Sequence, residues 1–262
     1  MRTLIDGDEV EYDVRGRGPA VLLLHAFPLG LSMWDPQAEA LAAAHRVVRF
    51  DARGFGATPA DDVTPLSMER IADDGASLLD QLWIEKAVVH GCSMGGYAAF
   101  AFARRHPRRL AGLVLQDTRA GADTAEARAN RATLAARVLA EGSQAAVEAF
   151  LPKLLGTTSH RERPALVAAV KERVFAASTR GLANALHGLA ARADSRDMLP
   201  KIAVPTLVLV GEEDVLTPPD EAKAMASAIP AARLEVIPHA GHLANLENPG
   251  AVNAALGAFL PR

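Results

Sequence analysis

The 262 residues carry 28 Lys plus Arg against 31 Asp plus Glu, a net charge of −3, with half the residues hydrophobic and a single cysteine. That balance offers no basic footprint for nucleic acid or an anionic membrane, and one cysteine excludes an internal disulfide framework and suits a reducing compartment. No stretch reaches the ~20 apolar residues of a bilayer span and residues 1–8 lack an apolar signal core, so a cytoplasmic protein is expected, of a length that fits one α/β domain with an insertion.

Residues 3–15 alternate around Asp6-Gly7-Asp8, a turn signal, and predict an antiparallel hairpin. After Gly16-Arg17-Gly18-Pro19, residues 20–25 form a continuous apolar run of the kind found in strands buried on both faces. The pattern returns at 46–51, 86–90, 110–116, 206–210 and 233–237, with helical segments at 36–44, 66–82, 94–106, 220–228 and 249–260. Such alternation predicts the α/β class, a doubly wound, mostly parallel sheet with helices on both faces.

Between 119 and 201 the alternation stops. This interval holds no convincing strand but several alanine-rich helical patterns, such as 124–139 and 164–176. Gly142, Pro152, Gly156, Pro164 and Gly181 punctuate about four short helices. The expected organisation is a core of residues 1–118 and 202–262 with a helical cap, 119–201, inserted over the carboxyl ends of the strands, where open α/β sheets bind ligands.

The chemistry-bearing stretch is Gly91-Cys92-Ser93-Met94-Gly95, a G-x-S-x-G turn between a predicted strand and a predicted helix. A sharp turn there leaves no room for a Cβ at Gly91 or Gly95 and lifts Ser93 Oγ clear of the sheet. The Met94 amide then sits at a helix N-terminus, which favours developing negative charge. A serine nucleophile needs a base and an orienting carboxylate within hydrogen-bond reach. His242 lies in the loop after the last strand, and Asp214 follows the strand before it. Asp117, at the end of the 110–116 strand, is a second carboxylate within range of the same histidine.

Five stretches in this order resemble the α/β-hydrolase family over essentially the whole chain: His25-Ala26-Phe27-Pro28, Asp51-Ala52-Arg53-Gly54-Phe55-Gly56, Gly91-Cys92-Ser93-Met94-Gly95-Gly96, Gly211-Glu212-Glu213-Asp214 and Ala240-Gly241-His242. Within that family the small capped serine hydrolases are nearest, similar to carboxylesterases, 3-oxoadipate enol-lactonases and cofactor-free perhydrolases. The resemblance implies Ser93 as nucleophile, His242 as general base and then acid, Asp214 as its orienting group, and an oxyanion hole of the Phe27 and Met94 amides. One departure is Ala26, where many relatives carry glycine. The implied substrate is a small carboxylic ester or lactone, cleaved through an acyl-enzyme. The same triad serves perhydrolysis and C–C bond hydrolysis, and some relatives are ligand receptors or signalling proteins. Neither metal nor other cofactor is expected: no Cys/His or Asp/Glu cluster has metal-ligand spacing, and no G-x-G-x-x-G follows the first βα turn.

Other residues have plainer expected roles. Cys92 is off the centre of the glycine pair and reads as a buried structural thiol. His25 is expected to hold the oxyanion loop, His90 to be a core histidine, His239 to be exposed, and Asp51 and Arg53 to brace a loop as an ion pair. Trp34 and Trp83 are expected to pack. Among apolar cap residues, Leu134, Val138, Phe150, Leu154, Leu155, Leu182 and Leu186 are candidates for a pocket, most of them helix-packing residues. Arg119 stands where the chain leaves the sheet for the cap. It suits a substrate carboxylate, for which a bidentate guanidinium is the matching geometry. A surface ion pair is its plain alternative.

Overall fold

The apolar runs become a sheet of eight strands among the described residues, which are 1–60 and 65–261 of this computed structural model. They are β1 (Arg2–Ile5), β2 (Asp8–Arg15), β3 (Ala20–Leu24), β4 (Arg46–Phe50), β5 (Ala87–Cys92), β6 (Leu110–Gln116), β7 (Thr206–Gly211) and β8 (Arg233–Ile237), in the spatial order β1-β2-β4-β3-β5-β6-β7-β8. The hairpin β1–β2 is antiparallel and turns on Asp6 and Gly7, both at positive φ. β2 runs antiparallel to β4, and every other pairing is parallel. Every residue of β5 is buried, because helices cover both faces of the sheet centre, whereas edge strand β8 exposes Arg233 and Val236.

Helices α1 (Asp35–Leu41), α2 (Met68–Gln81) and α3 (Met94–Arg105) lie between the strands up to β6. The Ser67 hydroxyl caps α2 by accepting the Arg70 N–H. Ile71, Ala72, Gly75, Leu78 and Leu79 then repeat at helical spacing on its buried face. Burying each leucine contributes about 1.5–3 kcal/mol. Helix α1 stops at Leu41, short of the expected 44, because the N–H groups of Ala44 and His45 both turn back onto the Leu41 carbonyl.

Between β6 and β7 come five helices among the described residues, not about four: α4 (Ala125–Glu141), α5 (Gln144–Leu154), α6 (Thr157–Glu162), α7 (Pro164–Phe175) and α8 (Thr179–Ala191). Two supposed breakers do not break. Pro152 sits inside α5, in its last turn. Gly181 sits in the first turn of α8, where a Cβ would stand 2.1 Å from the Gly54 carbonyl oxygen, so its glycine serves close backbone contact. After β7 follow α9 (Pro219–Ala228), then α10 (Ala244–Glu247) and α11 (Pro249–Phe259) beyond β8.

The tryptophans part company. Trp34 is fully buried, but Trp83 is 94% exposed and does not pack as expected. It occupies a positive-φ turn after α2 that directs Ile84 into the core and the indole outward. No helix among the described residues is long and apolar enough to cross a membrane.

Candidate active site

Backbone contact shapes the turn around Ser93. A Cβ on Gly91 would lie 2.0 Å from the Gly95 carbonyl oxygen, and one on Gly95 2.0 Å from that of Leu24. The end of β5, the start of α3 and the end of β3 are therefore closer than side chains allow. Ser93 itself takes φ 52° and ψ −110°, a conformation that costs on the order of 1–3 kcal/mol and persists because its surroundings fix it. The Ser93 N–H donates to the Gln116 carbonyl at 2.9 Å, and the Thr118 hydroxyl to the Ser93 carbonyl at 3.0 Å.

Ser93 Oγ lies 2.7 Å from His242 Nε2, and His242 Nδ1 lies 2.8 Å from Asp214 Oδ2. With Nδ1–H donated to the carboxylate, Nε2 accepts the Ser93 hydroxyl proton. Asp214 is in turn held by three donors: the Leu216 and Thr217 N–H groups reach Oδ1 at 2.8 and 3.0 Å, and the Thr217 hydroxyl reaches Oδ2 at 2.7 Å. Burial by itself would raise the Asp214 pKa, but the imidazole and these donors hold it below the usual carboxylate value. Burial likewise opposes protonation of His242, and the Asp214 charge overcomes it, so the imidazole pKa lies above 6.5.

Asp117 does not reach the imidazole. It sits in the buried layer behind, accepting N–H groups from Gly211 at 2.8 Å and Ala244 at 3.3 Å and the Gln116 amide at 3.0 Å. Burial and the neighbouring Asp214 charge push its pKa up to about 8. Of the two carboxylates open in the sequence, Asp214 is therefore the one hydrogen-bonded to His242.

The Phe27 and Met94 amides stand at the end of β3 and the first position of α3, and neither donates to a protein acceptor among the described residues. Ala26 is buried and not at positive φ, so alanine carries no conformational cost there. His25 braces this loop: its Nδ1–H donates to the Ala26 carbonyl at 3.0 Å, and its Nε2 accepts the Ala52 N–H at 3.0 Å. His90 is fully buried and donates from Nε2 to Gln116 at 3.0 Å, with its pKa driven down to about 3 by burial. Cys92 is buried, and burial raises its thiol pKa well above 9.0. The loop brace at Asp51 and Arg53 takes another form than the expected pair. Asp51 accepts the Leu31 and Ala57 N–H groups, while Arg53 is held by Asp74 and Asp8.

Ser93 and His242 open on a cavity of about 50 Å³, lined by Phe27, Leu216 and Thr217 and, from the 119–201 segment, by Phe150, Leu154 and Leu189. The Phe27 and Phe150 rings meet edge to face at 5.1 Å. Val138, Leu155, Leu182 and Leu186 pack in the hydrophobic core instead, and the partly buried Leu134 packs against it. Three polar side chains join the wall: Tyr97, Arg119 and Arg131. Arg131 and Arg192 share the buried Asp123, at 2.5 and 2.7 Å, and Arg192 also lies 4.2 Å over the Tyr97 ring. Arg119 makes no ion pair within 4.0 Å among the described residues; its Nε is buried without a partner, its Nη2 reaches the Leu216 carbonyl at 3.4 Å, and the Tyr97 hydroxyl stands beside the guanidinium. A larger cleft of about 350 Å³, lined by Asp51, Phe55 and Arg173 among others, does not include Ser93. Among the described residues no group of three or more His, Cys, Asp and Glu is placed to hold a metal ion.

Sequence reasoning missed Thr217, Tyr97 and Arg131. The first had a signal, since a threonine three residues after an aspartate is a common local turn pairing. Tyr97 lies one helical turn beyond Ser93 and so shares its face. Arg131 is one of three arginines in α4, and no local pattern marks it.

A mostly parallel sheet with Ser93 on a strained strand-to-helix turn after β5 and with Asp214 and His242 on the loops after β7 and β8 defines an α/β hydrolase. The chain belongs to that family, whose model, described as the alpha/beta hydrolase fold, matches residues 19–249. It is 30% identical over 246 residues to 3-oxoadipate enol-lactonase 2 of Acinetobacter baylyi, covering 93% of this chain and 89% of that protein. Among solved structures, a malate-bound thermophilic esterase from Thermogutta terrifontis shares 42% identity with a TM-score of 0.94, over 98% of this chain and 95% of that one. The enol-lactonase of Burkholderia xenovorans LB400 shares 30% identity with a TM-score of 0.91, over 99% of each chain.

Proposed function

We propose that this protein is a serine hydrolase of a small carboxylic ester or lactone. The observation that carries the reading is the hydrogen-bonded chain from Ser93 Oγ through His242 to Asp214, with Ser93 on the wall of a small cavity. Ser93 attacks the substrate carbonyl while His242 Nε2 takes its proton. The Phe27 and Met94 amides receive the oxyanion. His242 returns the proton to the departing alkoxide, which for a lactone stays tethered to the acyl group. Water, deprotonated by the same nitrogen, then releases the acid. Asp214 keeps the imidazole in the working tautomer throughout.

The segment 119–201 serves as a cap on the core of residues 1–118 and 202–262, since its Arg131, Phe150 and Leu154 close the cavity. The space, roughly four water-sized spheres, suits an acyl group of a few heavy atoms. Arg119 is the substrate-binding cation, because no carboxylate among the described residues pairs with it and its Nε is unpartnered, while Arg131 is held by Asp123. A carboxylate on the substrate is the matching group, and a relative that binds malate and relatives that are enol-lactonases support that reading.

The test is the initial rate on activated esters of increasing acyl length, a dicarboxylate half-ester and 3-oxoadipate enol-lactone, for wild type and Ser93→Ala. Turnover by wild type that the variant loses is expected. No turnover on any of them, or a variant equal to wild type, overturns the reading.

A further inference from the structure

The loop that carries His242 is gripped by a residue that does not touch the reacting atoms. Glu247 closes α10 and is buried. Its Oε1 accepts the N–H groups of Gly241 at 2.8 Å and Leu243 at 3.3 Å, the residues on either side of His242. Its Oε2 accepts the N–H of Gly156 at 2.7 Å, immediately before α6. There the two chains meet backbone to backbone: a Cβ on Gly241 would stand 2.3 Å from the Gly156 nitrogen. Glu213, which precedes Asp214, grips the first residues of α6, accepting the Thr158 N–H at 2.8 Å and the Thr157 hydroxyl at 3.0 Å.

The chemistry of the spot calls for a carboxylate. Three N–H donors converge on Glu247 and the Ser159 hydroxyl stands beside it; only an ionised carboxyl is acceptor on both oxygens. A carboxamide has one acceptor oxygen, so its NH₂ would oppose an N–H on one of the two chains.

We propose that Glu247 is a positioning residue for His242. It fixes the peptides on both sides of the imidazole and ties them to Gly156 at the head of α6, keeping Nε2 in line with Ser93 Oγ. The inference rests on the serine-hydrolase reading above. Misplacing the base by about 1 Å costs on the order of 10²-fold in rate, whereas substrate binding to the cavity wall is untouched.

Wild type, Ser93→Ala, Glu247→Gln and Glu213→Gln are compared, well below each Tm, in steady-state kinetics on a short activated ester and in the rate of covalent labelling by a fluorophosphonate. Glu247→Gln is expected to lower kcat and the labelling rate together, about 10- to 100-fold, with KM within about threefold. Glu213→Gln, which loosens only the cap side, is expected to lower Tm while kcat and labelling stay within about threefold. Should Glu247→Gln fail to fold, Glu247→Asp carries the same test, since its shorter carboxylate cannot hold both chains. A Glu247 variant with lowered Tm but wild-type kcat and labelling overturns the proposal, as does an equal rate loss in Glu213→Gln. An unlabelled wild type instead overturns the serine-hydrolase reading, so the two failures are told apart.

Discussion

Replacing Arg119 with methionine separates anion recognition from catalysis. Methionine keeps an unbranched apolar stem, so contact with the cavity wall survives while the charge goes. In the structure the Arg119 Nε is buried without a partner, Nη2 reaches the Leu216 carbonyl at 3.4 Å and the Tyr97 hydroxyl stands beside the guanidinium, so a substrate carboxylate competes with no ion pair among the described residues. Arg131 cannot simply take over, because its Nε is committed to Asp123 at 2.5 Å. A hydrogen bond to a charged group is worth about 1.5–3 kcal/mol, which at ~1.4 kcal/mol per tenfold is roughly 10- to 150-fold in kcat/KM. The assay compares a half-ester of a dicarboxylic acid with the uncharged ester of equal acyl length, for wild type and Arg119→Met. The half-ester loses that factor, and the uncharged ester stays within about threefold. Arg119 also holds the His242 pKa down somewhat, so rates are read on the alkaline plateau, clear of any movement of the acid limb. Equal losses on both substrates, or a wild type that rejects the half-ester, refute the argument.

Asp214→Asn should retain the fold but leave the imidazole in the wrong tautomer, lowering kcat by about 10⁴; a loss under tenfold, with circular dichroism unchanged, would show another group orienting His242. The base must be neutral to accept the Ser93 proton, and its pKa is raised above 6.5. Activity is therefore lost as pH falls through a midpoint above 6.5 and holds above it; a kcat/KM profile with a midpoint below about 6 contradicts this. Cys92 is fully buried with a raised pKa, so a thiol-reactive dye should label the protein only in denaturant, and rapid labelling of the native form counts against a structural thiol.

How far the sequence could be read depended on how local each signal was. The strands from β3 to β7 announced themselves as apolar runs because both their faces are covered, and the order of the loops carrying Ser93, Asp214 and His242 followed from counting strands. Gly181 and Pro152 misled, since a glycine that ends a helix and one that admits a neighbouring backbone look alike in one dimension. The family resemblance pointed to Asp214, but strand order alone left Asp117 open beside it: both follow parallel strands, and it takes the turn through Thr217 to aim Asp214 at the imidazole. The shared Asp123 between Arg131 and Arg192, and the grip of Glu247 on Gly156, join residues 61 and 91 positions apart, beyond any local pattern.

The two tryptophans stand at opposite extremes of solvation. Trp83 is as wet in the native protein as it would be unfolded, so its emission scarcely changes on denaturation. Trp34 is sealed against the His90 ring, 4.5 Å between centroids, one layer beneath the strand that delivers Ser93. Intrinsic fluorescence thus has a built-in constant background and one responsive reporter, and an optical melt reads the loosening of the layer under Ser93 with no engineered label.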